Sequence, residues 1–227
     1  MVLEFSEETS PALPAASAIV VRQTHNGLET LLLKRSDELK HMPELWVFPG
    51  GKVEDSDEGN DDLEKARRGA ARELQEEAGL SLPAETLLTF SHWLTPVVAK
   101  RRFATWFFIA GVGSDEPVTV DGSEIVAHEW WRPEDAIRAH HEGQLPITPP
   151  TLVSLHDLQG EDDPSVLLAQ LVERAPPRFF PRVVRDGDQM VFLYEGDAAY
   201  KSGDLTQQGA QHRTLGAQDI FHYVGVD

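Results

Sequence analysis

FPGGKVEDSDEGNDDLEKARRGAARELQEEAGL, residues 48–80, carries the pattern on which the reading of this chain turns. A Pro-Gly-Gly turn closes a short apolar run and leaves backbone carbonyls open. The loop behind it is acid-rich and almost devoid of apolar residues. Asp61 or Asp62 then suits the N-cap of a helix that runs to about Ala78 and stops at Gly79, since Asp accepts from the first free N–H groups and Gly tolerates the left-handed cap. Leu63, Ala66, Ala70, Leu74 and Ala78 recur at helical spacing and predict the buried stripe. Glu73, Glu76 and Glu77 stand at i, i+3 and i+4, which places their Cβ atoms about 5–6 Å apart on one side. Glu73 and Glu77 fall beside the apolar stripe and so are pressed toward the protein.

Three close carboxylates repel one another, and partial burial sharpens the conflict. A divalent cation resolves it. Oxygen-only ligands favour Mg²⁺ or Mn²⁺ over zinc, and Mg²⁺ keeps open positions that phosphate oxygens fill. A diphosphate is therefore the natural substrate class. Glutamates at this spacing also occur on very many solvated helices, so the flanking residues decide between the two readings.

Working outward, ASAIVVRQ (16–23) and LETLLLKR (28–35) read as strands joined through an Asn-Gly turn. LWVF (45–48) is a short strand ended by Pro49, Gly50 and Gly51. Residues 85–95, 102–112 and 124–131 read as strands, and PEDAIRAHHEG (133–143) and PPTLVSLHDLQG (149–160) as helices with Pro in the first turn. After Gly160 the character shifts: a helix near 161–175, a Pro-broken stretch, a strand at 190–197, a polar run from Lys201 to Gln211 and a closing strand in DIFHYVGV. The expected organisation is a flexible arm over 1–15, a domain over 16–160 and an extension over 161–227 that packs on the domain or on a partner.

Composition narrows the classes. The chain has 227 residues and a formal net charge of −18, which disfavours nucleic acid and anionic membrane as partners. No apolar run approaches the roughly 20 residues of a membrane span. Cysteine is absent, so thiolate metal sites and a cysteine nucleophile are excluded. The acidic start lacks a signal-peptide layout, and a cytoplasmic location is expected. There is no GxSxG elbow, GxxxxGK[ST] loop, GxGxxG fingerprint or HExxH pair.

Taken together, Glu64, Arg72, Glu73, Leu74, Glu76, Glu77, Gly79 and Leu80 resemble the box of the Nudix hydrolases: Glu, seven residues, then Arg-Glu-apolar-x-Glu-Glu-x-Gly-apolar. Twelve residues separate Gly51 from Glu64, seven more than the family pattern has. The resemblance implies an α/β fold, an α/β/α sandwich around a mixed sheet, here with a C-terminal α+β extension. It implies Mg²⁺- or Mn²⁺-dependent hydrolysis of a nucleoside diphosphate derivative. By similarity the Gly51 carbonyl, Glu73, Glu76 and Glu77 hold the metal, while Arg72, helped by Glu64, fixes the surroundings of Glu73. Glu64 and Gly79 are structural members of the motif. A further carboxylate acts as ligand or base; Glu124 leads, ahead of Glu129, Asp115, Glu116 and Asp121.

The lead-in MPELWVFPGG, the segment HWLTP, the strand RRFATWFF and the late Pro-Thr helix also resemble the Nudix branch that includes animal peroxisomal coenzyme A diphosphatases. Coenzyme A or an acyl-CoA is the first substrate implied; ADP-ribose, a dinucleotide or a nucleotide sugar is second, and a non-catalytic ligand sensor is the alternative of another class. Arg35 and Arg102, with Lys100 and Arg101, are candidate phosphate contacts. Of nine histidines, the resemblance places His41 and His92 near the site mouth. The five tryptophans read mainly as core, with one exposed member available to stack on a base. Family members often pair, so a homodimer is one expected assembly and an acidic monomer the other.

Overall fold

The computed structural model describes residues 10–217 and 219–225. The chain opens with β1 (Leu13–Thr24) and β2 (Gly27–Arg35), an antiparallel pair. Short strands β3 (Trp46–Val47) and β4 (Gly50–Lys52) precede α1 (Asp62–Ala78). Then come β5 (Leu88–Leu94), β6 (Phe103–Val112) and β7 (Ile125–Trp131). Helices α2 (Pro133–His141), α3 (Pro149–Leu158) and α4 (Pro164–Glu173) follow. Five strands finish the described chain: β8 (Arg178–Phe179), β9 (Arg182–Asp186), β10 (Gln189–Leu193), β11 (Arg213–Ala217) and β12 (Ile220–Val224).

The main sheet runs β3-β2-β1-β6-β5-β8, with β4 paired to β1 and β7 to β2. It is mixed: β1 lies parallel to β6 and β5 parallel to β8, and the other pairs are antiparallel. Along β1, Ala16, Ala18 and Val20 face one way and Ile19 and Val21 the other, and all five are buried. A strand apolar on both faces needs cover on both. On one face α1 supplies it with Ala66, Ala70, Leu74 and Ala78, small side chains that let the helix lie close to Ala16 and Ala18. On the other face α2, α3 and α4 supply Ile137, Leu152, Leu155, Leu167 and Leu171. The result is the sandwich that the resemblance implies.

β1 begins at Leu13, inside the segment read as an arm; residues 1–9 lie outside the described residues. The Pro-Gly-Gly turn does not end pairing, because Gly50 and Gly51 themselves pair with Ser17 and Ala16. The tail holds more strand than its sequence suggested. PPRFFPRVV supplies β8 and β9, and β11 was not anticipated at all. β9 to β12 form a second, four-stranded antiparallel sheet.

Besides the packing of α4 on the main sheet, β8 and β12 fasten the tail to the domain. β8 extends the main sheet beyond β5, and its Phe179 turns inward to stack on Trp93 with centroids 4.0 Å apart. Burial of a ring that size contributes about 2–3 kcal/mol, and the stack about 1 kcal/mol more. At the other fastening, buried His140 of α2 bridges to β12: Nδ1 donates to the Leu145 carbonyl at 3.0 Å and Nε2 accepts from the Phe221 N–H at 2.9 Å. Both bonds together require the neutral ring, and burial, with His141 and His222 nearby, holds its pKa below 6.5. In the second sheet, the Asp197 carboxylate accepts from Arg213 Nε and Nη2, both at 2.7 Å, and from the N–H groups of Ala199 and His212.

Candidate active site

α1 starts where Asp61 accepts from the Glu64 N–H at 2.8 Å. Glu64 reaches back to the Asn60 N–H at 2.9 Å, one residue before the cap, and so ties the loop to the helix start. The helix ends at Gly79, whose φ of 70° is the left-handed cap expected there. Between these stops, Glu73 and Glu77 reach β4, while Glu76 is tied to Glu73 through Arg72.

Glu77 goes deepest. Only 7% of it is exposed, and Oε2 accepts from the Gly50 N–H at 2.8 Å. Burial pushes its carboxyl up to about 8; the Gly50 hydrogen bond and Arg35 oppose the shift, while Glu73 and Glu124 add to it. Glu73 is also raised, first by burial, against the pull of Arg72. Glu76 is largely exposed at 57%. The two glycines are dictated by space. A Cβ on Gly50 would lie 2.4 Å from the Ala16 carbonyl oxygen, and one on Gly51 2.3 Å from Glu73 Oε1. Gly51 thereby allows its backbone and the Glu73 carboxylate to meet.

Arg72 organises the cluster. Nη1 donates to Glu73 at 2.9 Å and to Glu76 at 3.0 Å. Nε and Nη2 clasp Asp57 at 3.0 and 3.1 Å, and Nη2 also reaches the Lys52 carbonyl at 3.0 Å. The hydrogen bonds to Asp57 contribute most to raising the guanidinium well above its usual range. Burial alone would raise the Asp57 carboxyl, but Arg72 and the Glu54 N–H together hold it below the usual range. The support expected from Glu64 therefore comes from Asp57. Glu64 is committed to the helix start and to Arg68, and the long acid-rich loop brings Asp57 in beneath Arg72. Nothing in the sequence distinguished Asp57 from its acidic neighbours.

The other candidates divide cleanly. Asp121 accepts from the N–H groups of Ser123, Glu124 and Ile125 and so shapes the turn that presents Glu124. The Glu124 carbonyl accepts from Ser36 N–H at 2.8 Å, and its carboxylate is near enough to raise Glu77. Glu129 alternates with Ala127 and Trp131 on the sheet face opposite α1, so it does not join the cluster. Asp115 and Glu116 are exposed beyond the end of β6. Arg35 donates to the carbonyls of Met42 and His41 at 3.2 and 3.3 Å and stands close enough to Glu77 to favour its ionised form. Arg102 is a correction: it is buried at 8% exposure and spends Nε on the Thr95 carbonyl and Nη1 on the Ser10 carbonyl, bracing the chain rather than facing a ligand.

Among the described residues no three acidic or histidine side chains already converge on one point, because Glu73 and Glu76 share Arg72 Nη1. The donor set nonetheless suits a hard divalent cation. It is all oxygen, it includes a carboxylate raised by burial and by the neighbouring Glu73 and Glu124, and Gly51 leaves its backbone open to Glu73.

The NUDIX domain model matches residues 12–150. "Putative nudix hydrolase 7" of Caenorhabditis elegans is 26% identical over 190 residues, covering 68% of this chain and 63% of its own length. "Acyl-coenzyme A diphosphatase NUDT19" of Xenopus laevis is 30% identical over 128 residues, covering 53% of this chain and 34% of its own length. The chain thus spans between a third and two thirds of the length of these curated relatives. A NUDIX hydrolase from Alicyclobacillus acidocaldarius shares the fold with a TM-score of 0.64 at 21% identity, over 70% of this chain and 96% of that one.

Proposed function

The chain belongs to the NUDIX family of hydrolases, and from that premise we propose that it cleaves the diphosphate link of a nucleoside diphosphate derivative with Mg²⁺ or Mn²⁺, coenzyme A or an acyl-CoA being the leading substrate. The observation that carries this reading is Glu77, a carboxylate buried beside Glu73 and Glu124 and pushed up to about 8. A desolvated acid cluster of this kind is stable as a charged site only with cations present. The relative named as an acyl-CoA diphosphatase supports the choice of substrate.

In this reading Glu73, Glu76, Glu77 and the Gly51 carbonyl would hold the ion. When bound, it offsets the diphosphate charge and lowers the pKa of the attacking water. Arg72, anchored by Asp57, keeps Glu73 and Glu76 side by side. Arg35 faces the phosphate oxygens from the β2 end. Glu124, on its turn shaped by Asp121, takes the proton from the attacking water. Water adds to one phosphorus, the bridging P–O bond breaks, and two phosphorylated products leave.

The test is a product-resolved assay with Mg²⁺ or Mn²⁺ across coenzyme A, acyl-CoA, ADP-ribose, dinucleotides and nucleotide sugars. Monophosphate-bearing products from coenzyme A or its thioesters support the reading. Products only from another member of the panel move the substrate, and ligand binding with no turnover anywhere replaces the enzyme with a sensor.

A further inference from the structure

One row of residues crosses the sheet at a single level. Gly51 pairs with Ala16, Ala16 with Trp106, Trp106 with His92, and His92 with Arg178. All of these positions present their side chains, or in Gly51 the place of one, to the face that carries α1. The row starts at the carboxylate cluster and ends on the C-terminal extension. With strands about 4.8 Å apart, Trp106 lies about 10 Å from Gly51 and Arg178 about 19 Å from it.

The outer end of the row is aromatic and cationic. The His92 and Trp106 rings are 4.3 Å apart, and the Arg178 guanidinium stands 5.7 Å from the Trp106 ring centre. Phe180 follows two residues after Arg178, returns to the same face and meets His92 edge-on at 6.2 Å. It stays 37% exposed although Tyr200 pins its carbonyl at 2.8 Å. The buried His92 Nδ1 has no hydrogen-bond partner among the described residues. Arg178 makes no ion pair among them either, in a chain of net charge −18. Half-buried His92 and Trp106, with exposed Phe180 beside them and an unpaired guanidinium at the far edge, fit a base followed by an anionic group.

We propose that Trp106, His92, Phe180 and Arg178 form the subsite for the nucleoside half of the substrate, with Arg178 selecting nucleotides that carry an additional phosphate on the sugar. The inference rests on the assignment of Glu73, Glu76 and Glu77 as the diphosphate centre. The base stacks on Trp106 and Phe180, and Arg178 pairs with the phosphate remote from the scissile link. Arg178 and Phe180 lie beyond residues 12–150, so selectivity would come from the extension and chemistry from the shared domain.

Calorimetric titration of the full chain with adenosine 3′,5′-bisphosphate and with AMP tests this without requiring turnover. One charge-assisted pair is expected to make the bisphosphate bind about tenfold to a hundredfold tighter than AMP. Arg178→Gln, at an exposed position, should abolish that preference with the thermal midpoint unchanged, and Trp106→Leu should weaken both ligands. Equal affinity of the parent for the two nucleotides, or an undiminished preference in Arg178→Gln, overturns the proposal. Glu77→Gln separates the two readings: it should keep the preference while losing hydrolysis. A variant that hydrolyses normally removes the catalytic assignment, and with it the reason for placing the scissile link at Gly51.

Discussion

Two aspartate–arginine pairs, one at the second sheet and one on α1, are used differently. Arg213 and Asp197 in the second sheet are almost wholly buried, with side-chain exposures of 8% and 0%, and Asp197 spends its remaining capacity on two backbone N–H groups. Arg72 and Asp57 make a similar clasp, yet Arg72 stays 22% exposed and turns Nη1 outward to Glu73 and Glu76. The first pair is closed on itself and holds a fold. The second is open on one side, and the open side holds Glu73 and Glu76. A buried ion pair becomes part of a site when one partner keeps donors that the fold does not consume.

The sharpest way to break this contrast is to neutralise one carboxylate from each side. On the proposed reading, Glu77→Gln should lower kcat by about a thousandfold, since it would remove a ligand charge with almost no change in volume. The same change should make the metal-free chain more stable at pH 8. Its folded-state pKa lies above 4.5, so the native state holds an extra proton between 4.5 and about 8, and the parent loses stability as pH rises across that window. The amide cannot ionise and escapes the loss. Denaturant titrations at pH 5 and pH 8 check this; a less stable variant at pH 8 contradicts the burial argument.

Asp197→Asn should do the reverse, costing about 3–5 kcal/mol of unfolding free energy because it strands a buried guanidinium. If the unfolding midpoint hardly moves, the second sheet is not held as described. Asp57→Asn falls between the two, with a stability loss of about 1–3 kcal/mol and turnover down about tenfold as Arg72 loses its anchor. Glu64→Gln serves as its control and should leave turnover within about twofold of the parent. Equal damage from both would restore Glu64 as the support of Arg72.

The smallest expected effect concerns the junction at His140. The folded-state pKa is below 6.5, so the unfolded chain binds more protons beneath that value, and stability falls as pH drops through it. His140→Gln should flatten the decline, with His141 and His222 left to account for any remainder. An unchanged acid limb in the variant would show that the bridge from α2 to β12 does not govern it.

The sequence made the carboxylate helix legible because cap, apolar stripe and stop all agree, and burial of Glu77 follows from the helical wheel alone. Arg102 and Glu64 misled for a common reason. Spacing specifies which residues share a face, while the backbone carbonyls and loops that compete for an arginine are set by tertiary structure. Asp57 sits in a run of similar acids, and no periodicity marks the one that turns inward. The β8 segment was hidden by flanking prolines, which break strand patterns yet are tolerated at sheet edges.

Because β8 lies along the outer side of β5, that flank of the main sheet is closed by a strand from far down the chain. Trimming the protein near residue 160 to obtain a tidy domain would bare the hydrogen-bonding groups of β5 and strip the cover from Trp93. Such a fragment is a candidate for self-association through that raw margin.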